Sequence, residues 1–432
     1  MRGPRYPGAR LRRGSPALIR DLNRAATLAI IGGQGPIARV DIARRLSLSA
    51  STVTGVTRDL MADGLIRVVE QAASGGGRPQ LLLGLVADAA QVIGVKIAPD
   101  RLAIVRVDLD GEILASTEGA FDALAPNALE ALAARLRETM ADADGTRLLG
   151  IGLGVPGTVD AQHGVVDSPI LAWHSVALGQ TLHEQLGLPV LIDNDVNTLA
   201  VTERLYGRGR DAEHFVTVTI GVGVGLGIVV GGDLYRGARG GAGEFGHIPI
   251  IENGPLCECG MHGCLESLVS DPALVRQAIE VGLIEPGLRP QDAVDRLRRL
   301  ADGGDPTACR IYAEAGAVLG RAVAGLVNVL SPQVVIVSGE GARAWTHLET
   351  AFADALQAAT FASLRGVPVE VDPWDDAKWA RGAAALVLRA MFAAPLYERQ
   401  IEDTVRARLS PGARPEDAAE LPIPSAMAST RA

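Results

Sequence analysis

Three cysteines crowd one short stretch, CECGMHGCLE at residues 257–266. Thiolates spaced C-x-C-x4-C converge on a single tetrahedral ion only where the backbone turns tightly, which interleaved glycines permit. A fourth ligand is needed. His247, ten residues upstream in GEFGHIPI, completes a Cys3His set of the kind that closes a structural zinc site. His262 is a rival, but inside the same tight turn it has little slack. The expected ligands of a structural Zn2+ are therefore His247, Cys257, Cys259 and Cys264. Three reduced thiols without a metal are the weaker alternative.

Two further stretches could hold a ligand. GVGVGLG (221–227) carries Gly at every second position. That leaves one strand face bare, so that a helix, a backbone or a phosphate can come close, although packing alone would explain it equally. DNDVN (193–197) follows an apolar run. An Asp just past a strand end can take a proton, or a hydrogen bond, from a sugar hydroxyl; a helix cap would use the same residues. Glu244 and Glu266 flank the cysteine loop, where acidic groups suit a hydroxyl-rich ligand or a solvated rim.

The elements that position these residues can be read from periodicity. Residues 17–31 read as a helix, RVDIARRL (39–46) as a short amphipathic helix and SLS (47–49) as a turn. A further helix is expected over 49–64, with Ser49 or Ser51 as N-cap and Gly64 as C-cap. LIRVVEQ and PQLLLGLV then read as strands around the tip ASGGGRP. That order is a winged helix-turn-helix. On its second paired helix Val53, Val56 and Leu60 fall at core spacing. Ser51, Thr52, Thr54, Gly55 and Arg58 then face out, a small polar surface suited to a major groove. A solvated face of a three-helix bundle is the bland alternative. Arg78, at the wing tip, is placed to reach a minor groove or a phosphate.

Charge agrees with a nucleic-acid-binding head. Residues 1–80 hold 13 Lys/Arg against 5 Asp/Glu, and the remainder 28 against 45. A basic head on an acidic body points to a polyanion partner. From about residue 88 strands alternate with helices, which gives an α/β body of two lobes with a cleft between them. Residues 215–232 are uncharged and could pass a crude membrane window, but six of them are Gly and the pattern has a strand period. A buried hairpin is expected there, with no membrane partner. The basic start lacks an apolar stretch of the secretory kind and the cysteines are clustered, so a cytoplasmic location is expected. The expected division is a disordered basic arm (1–16), the winged helix (17–86), the α/β body (87–395) and a disordered tail (396–432).

TIGVGVGLGIVVGGDLYRGARGGAGEFGH (219–247), followed by CECGMHGCLE, resembles the signature of the ROK family of repressors, open reading frames and sugar kinases. The resemblance covers roughly residues 17–395. It implies an actin/hexokinase-like (ribonuclease H-like) body of two lobes, assembled as a homodimer or homotetramer. It places zinc on His247, Cys257, Cys259 and Cys264. It places a monosaccharide or sugar phosphate on Gly157, Asn194, Asp195, Glu244, His247 and Glu266, with Asp195 at the position of the kinases' catalytic base. A fused winged helix is what the family's regulators have and its kinases lack. Three departures bear on function. The kinases' DxGGT turn is replaced here by KIAPD (96–100), and Pro99 has no N–H to offer a phosphate. Val222 stands where kinases carry the Thr of G-T-G, and Ile170 stands where many relatives carry a sugar-contacting Asn. The expected function is sugar-responsive repression at a double-stranded DNA operator, without catalysis; a sugar kinase that kept a DNA-binding head is the alternative.

Overall fold

The computed structural model describes residues 15–72, 80–143, 145–238, 240–372, 375–392 and 400–409. These form two compact units. The first comprises the chain through Thr198 together with the chain from Trp379 onward, and the second runs from Leu199 to Lys378.

The first unit opens with the winged helix. Helix α1 (Pro16–Gln34) starts on Ser15, whose hydroxyl accepts from the Leu18 N–H, and Pro16 supplies a preset first turn. Its buried residues include Leu18, Ala25, Leu28 and Ile31, one stripe at helical spacing. Strand β1 (Ile37–Ala38) leads into α2 (Arg39–Leu46), and Ser47, in the left-handed region, turns the chain into α3 (Ala50–Ala62). Ser49 caps α3 by accepting from the Thr52 N–H. Strands β2 (Ile66–Ala72) and β3 (Gln80–Leu85) form the wing, in a sheet of order β1-β3-β2. The wing tip, with Arg78, lies outside the described residues.

One core assignment on α3 is corrected. Val53 and Leu60 are fully buried as expected, but Thr57 shares their face, while Val56 is only partly buried. Thr57 is tolerated because its hydroxyl is bonded twice. It donates to Val53 O and accepts from Arg39 Nε, each at 2.8 Å.

The body of the first unit is a five-stranded sheet of order β11-β7-β4-β5-β6. Strands β4 (Gln91–Ile97), β5 (Arg101–Val107) and β6 (Ile113–Ala120) form an antiparallel meander, followed by α4 (Ala128–Ala141). Strand β7 (Leu148–Val155) pairs parallel with β4 and is buried along its whole length, the mark of a strand covered on both faces. A small sheet of β8 (Thr158–Asp160), β9 (Val165–Ser168) and β10 (Trp173–Val176) precedes α5 (Leu178–Leu186). Strand β11 (Val190–Asn194) then pairs parallel with β7 and passes directly into α6 (Asp195–Tyr206).

The second unit holds a sheet of order β14-β13-β12-β15-β16. Strands β12 (Phe215–Ile220) and β13 (Val224–Val230) are the expected buried hairpin, and β14 is Asp233–Leu234. Helices α7 (Glu266–Val269), α8 (Asp271–Glu280), α9 (Pro290–Asp302) and α10 (Pro306–Leu330) follow. Strand β15 (Val334–Ser338), α11 (Trp345–Ala359) and β16 (Val369–Val371) complete the unit. Helix α10 is long and apolar enough to cross a membrane by length and composition, but Ile311, Tyr312, Leu319 and Val323 bury one face of it in the core under β12 and β15.

Helix α12 (Asp376–Phe392) carries the chain back into the first unit, and α13 (Gln400–Ala407) follows. That helix corrects the expectation of a disordered tail over 396–432 for residues 400–409. Val405 and Leu409, four residues apart, are buried. Arg406 donates to Ala390 O, Arg408 to Leu148 O, and Arg147 to Leu409 O. Pro- and Ala-rich surroundings hid two apolar residues at helical spacing. The rest of that tail and residues 1–14 lie outside the described residues.

Candidate functional site

The cysteine loop folds back on itself as the glycine spacing requires. The Cys257 N–H donates to Met261 O, and the Gly263 N–H to Pro255 O, at 2.8 Å each. Gly263 has φ +69°, and a Cβ there would stand 1.7 Å from Ile251 O, so no other residue can hold the turn. A short 3-10 turn, Phe245–His247, delivers the imidazole.

One ligand atom from each of His247, Cys257, Cys259 and Cys264 lies within 4.8 Å of the others. His247 Nδ1 is 3.5 Å from Cys257 Sγ, and Cys259 Sγ is 3.7 Å from Cys264 Sγ. Metal bonds of about 2.3 Å to sulfur and about 2.0 Å to nitrogen give a tetrahedron with S···S edges near ~3.8 Å and N···S edges near ~3.5 Å. The donor set and both edges fit a tetrahedral Cys3His centre. Burial pushes the Cys257 thiol up to about 12, so a cation must displace a proton to bind there. His262 instead points its Nδ1 at Gly254 O, 3.0 Å away, outside the ligand set.

Two carboxylates flank this centre. Glu244 Oε2 stands 3.8 Å from His247 Nε2, the ring nitrogen away from Cys257. Glu266 opens α7; its Oε2 accepts from the Val224 N–H at 3.0 Å and its Oε1 faces Cys257 Sγ at 3.8 Å. A Cβ on Gly223 would lie 2.9 Å from Glu266 Oε2. The bare face of the glycine-rich stretch thus serves, at this point, to let a carboxylate approach.

In the first unit Gly157, Asn194 and Asp195 are adjacent. Asn194 Nδ2 donates to Gly157 O at 2.9 Å, and Asn194 Oδ1 accepts from the N–H groups of Val196 and Asn197, capping α6. Asp195 Oδ1 also accepts from the Val196 N–H, and both side chains are partly exposed. Gly157 has φ +110°, with Asp167 O only 2.4 Å from where a Cβ would sit. The outer two residues of DNDVN, to which the sequence reading gave no separate role, support the cap. Buried Asp193 accepts from Asn197 Nδ2 at 2.8 Å and braces the cap. Their i, i+4 spacing across the strand–helix junction was the available signal.

The turn between β4 and β5 offers little to a phosphate. The Ala98 N–H is spent on Arg101 O, and Pro99 has none. Lys96, buried on β4, lies over the Trp379 ring, 3.8 Å from its centroid.

On α3 the outward set is arranged as its spacing predicts. Ser51, Thr54 and Arg58 are exposed, and Thr52 and Gly55 are partly so. The space around a Cβ on Gly55 is open to 4 Å. Arg58 is 79% exposed and lies 3.5 Å from Asp59.

A winged helix-turn-helix head, a ribonuclease H-like α/β body and a Cys3His loop define the class: a DNA-binding module fused to a sugar-kinase-like fold. The ROK family profile matches residues 92–390, a MarR-family profile matches 22–72, and the chain belongs to the ROK family. The "DNA-binding transcriptional dual regulator NagC" of Escherichia coli K12 is 29% identical over 92% of this chain and all of that protein. The "Xylose repressor" of Caldicellulosiruptor bescii is 28% identical over 89% of this chain and all of that protein. Among solved structures, a ROK family transcriptional regulator described as a homolog of the E. coli MLC protein superposes with a TM-score of 0.78 at 25% identity, covering 91% of this chain and 99% of that one. A ROK family glucokinase from Streptomyces griseus, solved with glucose and AMPPNP, matches with a TM-score of 0.60 at 28% identity, covering 69% of this chain and 99% of that one. The glucokinase match thus covers a smaller share of this chain than the regulator match does.

Proposed function

We propose that this chain is a DNA-binding repressor whose operator affinity is set by a monosaccharide or sugar phosphate. The observation that carries the reading is the outward face of α3: Ser51, Thr52, Thr54, Gly55 and Arg58 present a small, polar, singly cationic surface on a winged helix joined to a ROK body. Relatives matched over their whole length, one named a DNA-binding transcriptional dual regulator and one a xylose repressor, support it. Arg58 would contact a base edge or phosphate, and Arg78 would reach DNA from the wing tip. The protein would act in the cytoplasm as a homodimer or homotetramer.

The residues proposed to contact the sugar are Gly157, Asn194, Asp195, Glu244, His247 and Glu266. Structural Zn2+ on His247, Cys257, Cys259 and Cys264 would fix the His247 ring and the loop carrying Glu266. Kinase chemistry is disfavoured by the β4–β5 turn, where Pro99 and the committed Ala98 N–H leave a poor phosphate nest.

Fluorescence-anisotropy titration of the zinc-loaded protein against its own upstream DNA, at fixed salt and with a panel of sugars and sugar phosphates, tests the reading. Specific binding weakened by one sugar is the expected outcome. Sugar-dependent ATP turnover abolished by Asp195→Asn would establish the kinase instead. Metal analysis of Cys257→Ser checks the centre: about one zinc per chain should fall to near zero, with loss of the sugar response.

A further inference from the structure

Strand β6 closes one side of the first unit's five-stranded sheet, where it pairs with β5 alone. At eight residues it is the longest edge strand among the described residues. It is exposed on both faces, with only Ala115 and Gly119 partly covered. One bulge, at Leu114, leaves 115–120 as the straight run. The pairing fixes where its backbone points. The Phe121 N–H donates to Asp100 O, and Gly119, Thr117 and Ala115 stand opposite Leu102, Ile104 and Arg106. Hydrogen bonding to β5 therefore falls on Gly119, Thr117 and Ala115, every second residue. Ser116, Glu118 and Ala120, between them, turn their N–H and C=O groups away from the sheet. Such an edge is a template for another strand, and chains that must stay single blunt it with Pro, Lys or brevity. Strands β14, β16 and β10 are short edges, of two, three and four residues. Strand β6 is long and holds neither Pro nor Lys. The side chains of Ser116, Thr117 and Glu118 have no hydrogen-bond or ion-pair partner among the described residues.

We propose that β6 is an interaction edge for a second copy of this chain, the two strands pairing antiparallel about Thr117 and joining two five-stranded sheets into one. The inference rests on the homo-oligomer reading above and names its surface; it needs neither DNA nor sugar. Few registers are open to self-pairing, because outward backbone groups must meet outward groups. Centred on Glu118, it would set two carboxylates face to face, which is unfavourable. Centred on Ser116, it would put each Glu118 opposite Leu114, at the bulge. Centred on Thr117, Glu118 meets the Ser116 hydroxyl of the second copy, which can donate to it. The two Thr117 side chains then form a close, non-hydrogen-bonded pair. Ala115 faces Gly119 and Leu114 faces Ala120, so neither like charges nor two bulky groups oppose each other. The winged helix belongs to the same compact unit as β6, so this pairing would bring two heads into one two-fold assembly.

The test uses the full-length, zinc-loaded protein. Thr117→Cys places two thiols at the two-fold axis, where opposed Cα atoms about 4.5 Å apart are within disulfide reach. Under oxidised glutathione most of that variant should run as a covalent dimer on a non-reducing gel. Ala115→Cys lies on the same face but far out of register with its own copy. It should cross-link at least about tenfold more slowly, as should the parent with its native cysteines. Ser116→Pro removes an N–H that β5 does not use, so the fold should stand while the edge loses a donor. Its dissociation constant for assembly, by light scattering over a dilution series, should rise at least about tenfold. A Thr117→Cys protein that cross-links no faster than Ala115→Cys overturns the pairing. So does a folded Ser116→Pro protein that assembles like the parent; should that variant not fold, the cross-link decides alone. If no sugar moves operator affinity, the repressor reading fails, and the cross-link still decides the edge.

Discussion

Gly55 sits in the second turn of α3 with open space where a side chain would be. A glycine inside a helix costs about 0.5–1 kcal/mol relative to alanine, so its presence there is expensive for the fold alone. Gly55→Ala should raise stability by about that amount in the free protein. Against the operator the added methyl meets the groove, and affinity should fall by at least about tenfold. Denaturant midpoints and operator titrations of one variant check both halves; unchanged DNA affinity would remove Gly55 from the interface. Asp271 shows the opposite economy. It opens α8, and burial, then the facing Glu340, push its carboxyl from 3.8 to about 6 against the pull of Arg343. A carboxyl that holds its proton more tightly folded than unfolded stabilises the fold fully below its unfolded value. That contribution is lost as pH rises through about 6. Asp271→Asn stays neutral throughout. It should gain on the parent across that window by on the order of 2 kcal/mol and hold the gain above it. Urea midpoints at about pH 4, 6 and 8 check the sign, and a gap independent of pH would refute it.

At the scale of elements, what the sequence makes legible follows local periodicity. RVDIARRL is α2 residue for residue, and the Val/Gly hairpin of β12 and β13 appears where its pattern puts it. Reading failed where a distant partner decides. Thr57 is buried because Arg39, eighteen residues away, satisfies its hydroxyl. Helix α13 is ordered through Arg147 and Leu148, more than 250 residues earlier. The ligand loop was legible because its four donors lie within eighteen residues, whereas the Asp193–Asn197 brace needed the strand–helix junction itself. The glycines of β7 are the seat of α12, a role that only the folded chain shows. Gly152→Ala would force a methyl to 1.8 Å from Ala383 O. Neither backbone can give way cheaply, so the cost should be ~3 kcal/mol or more. A shift in the denaturant midpoint measures it. A loss within about 0.5 kcal/mol would mean that α12 does not sit on β7 as closely as the backbone distances indicate.

For the whole molecule, charge and symmetry decide how DNA is read. Residues 1–80 carry 13 Lys/Arg against 5 Asp/Glu, while the remainder carries 28 against 45. An acidic body is repelled by phosphates, so attraction is concentrated on the head and binding should weaken steeply with salt. One winged helix offers a single recognition helix with a single outward Arg, too few contacts for a specific site. Two heads on the proposed homodimer would double the contacts and impose a two-fold operator whose half-sites lie on one face of the duplex, about 10–10.5 bp apart or a multiple of that. Inserting about 5 bp between the half-sites rotates one of them to the far side, where a second head bound to a rigid body cannot follow. Affinity should fall by at least about 100-fold and recover in part when a full turn of about 10 bp is inserted. Operator titrations at constant salt with the two spacers decide it. A smooth decline with spacer length would mean that the heads swing freely.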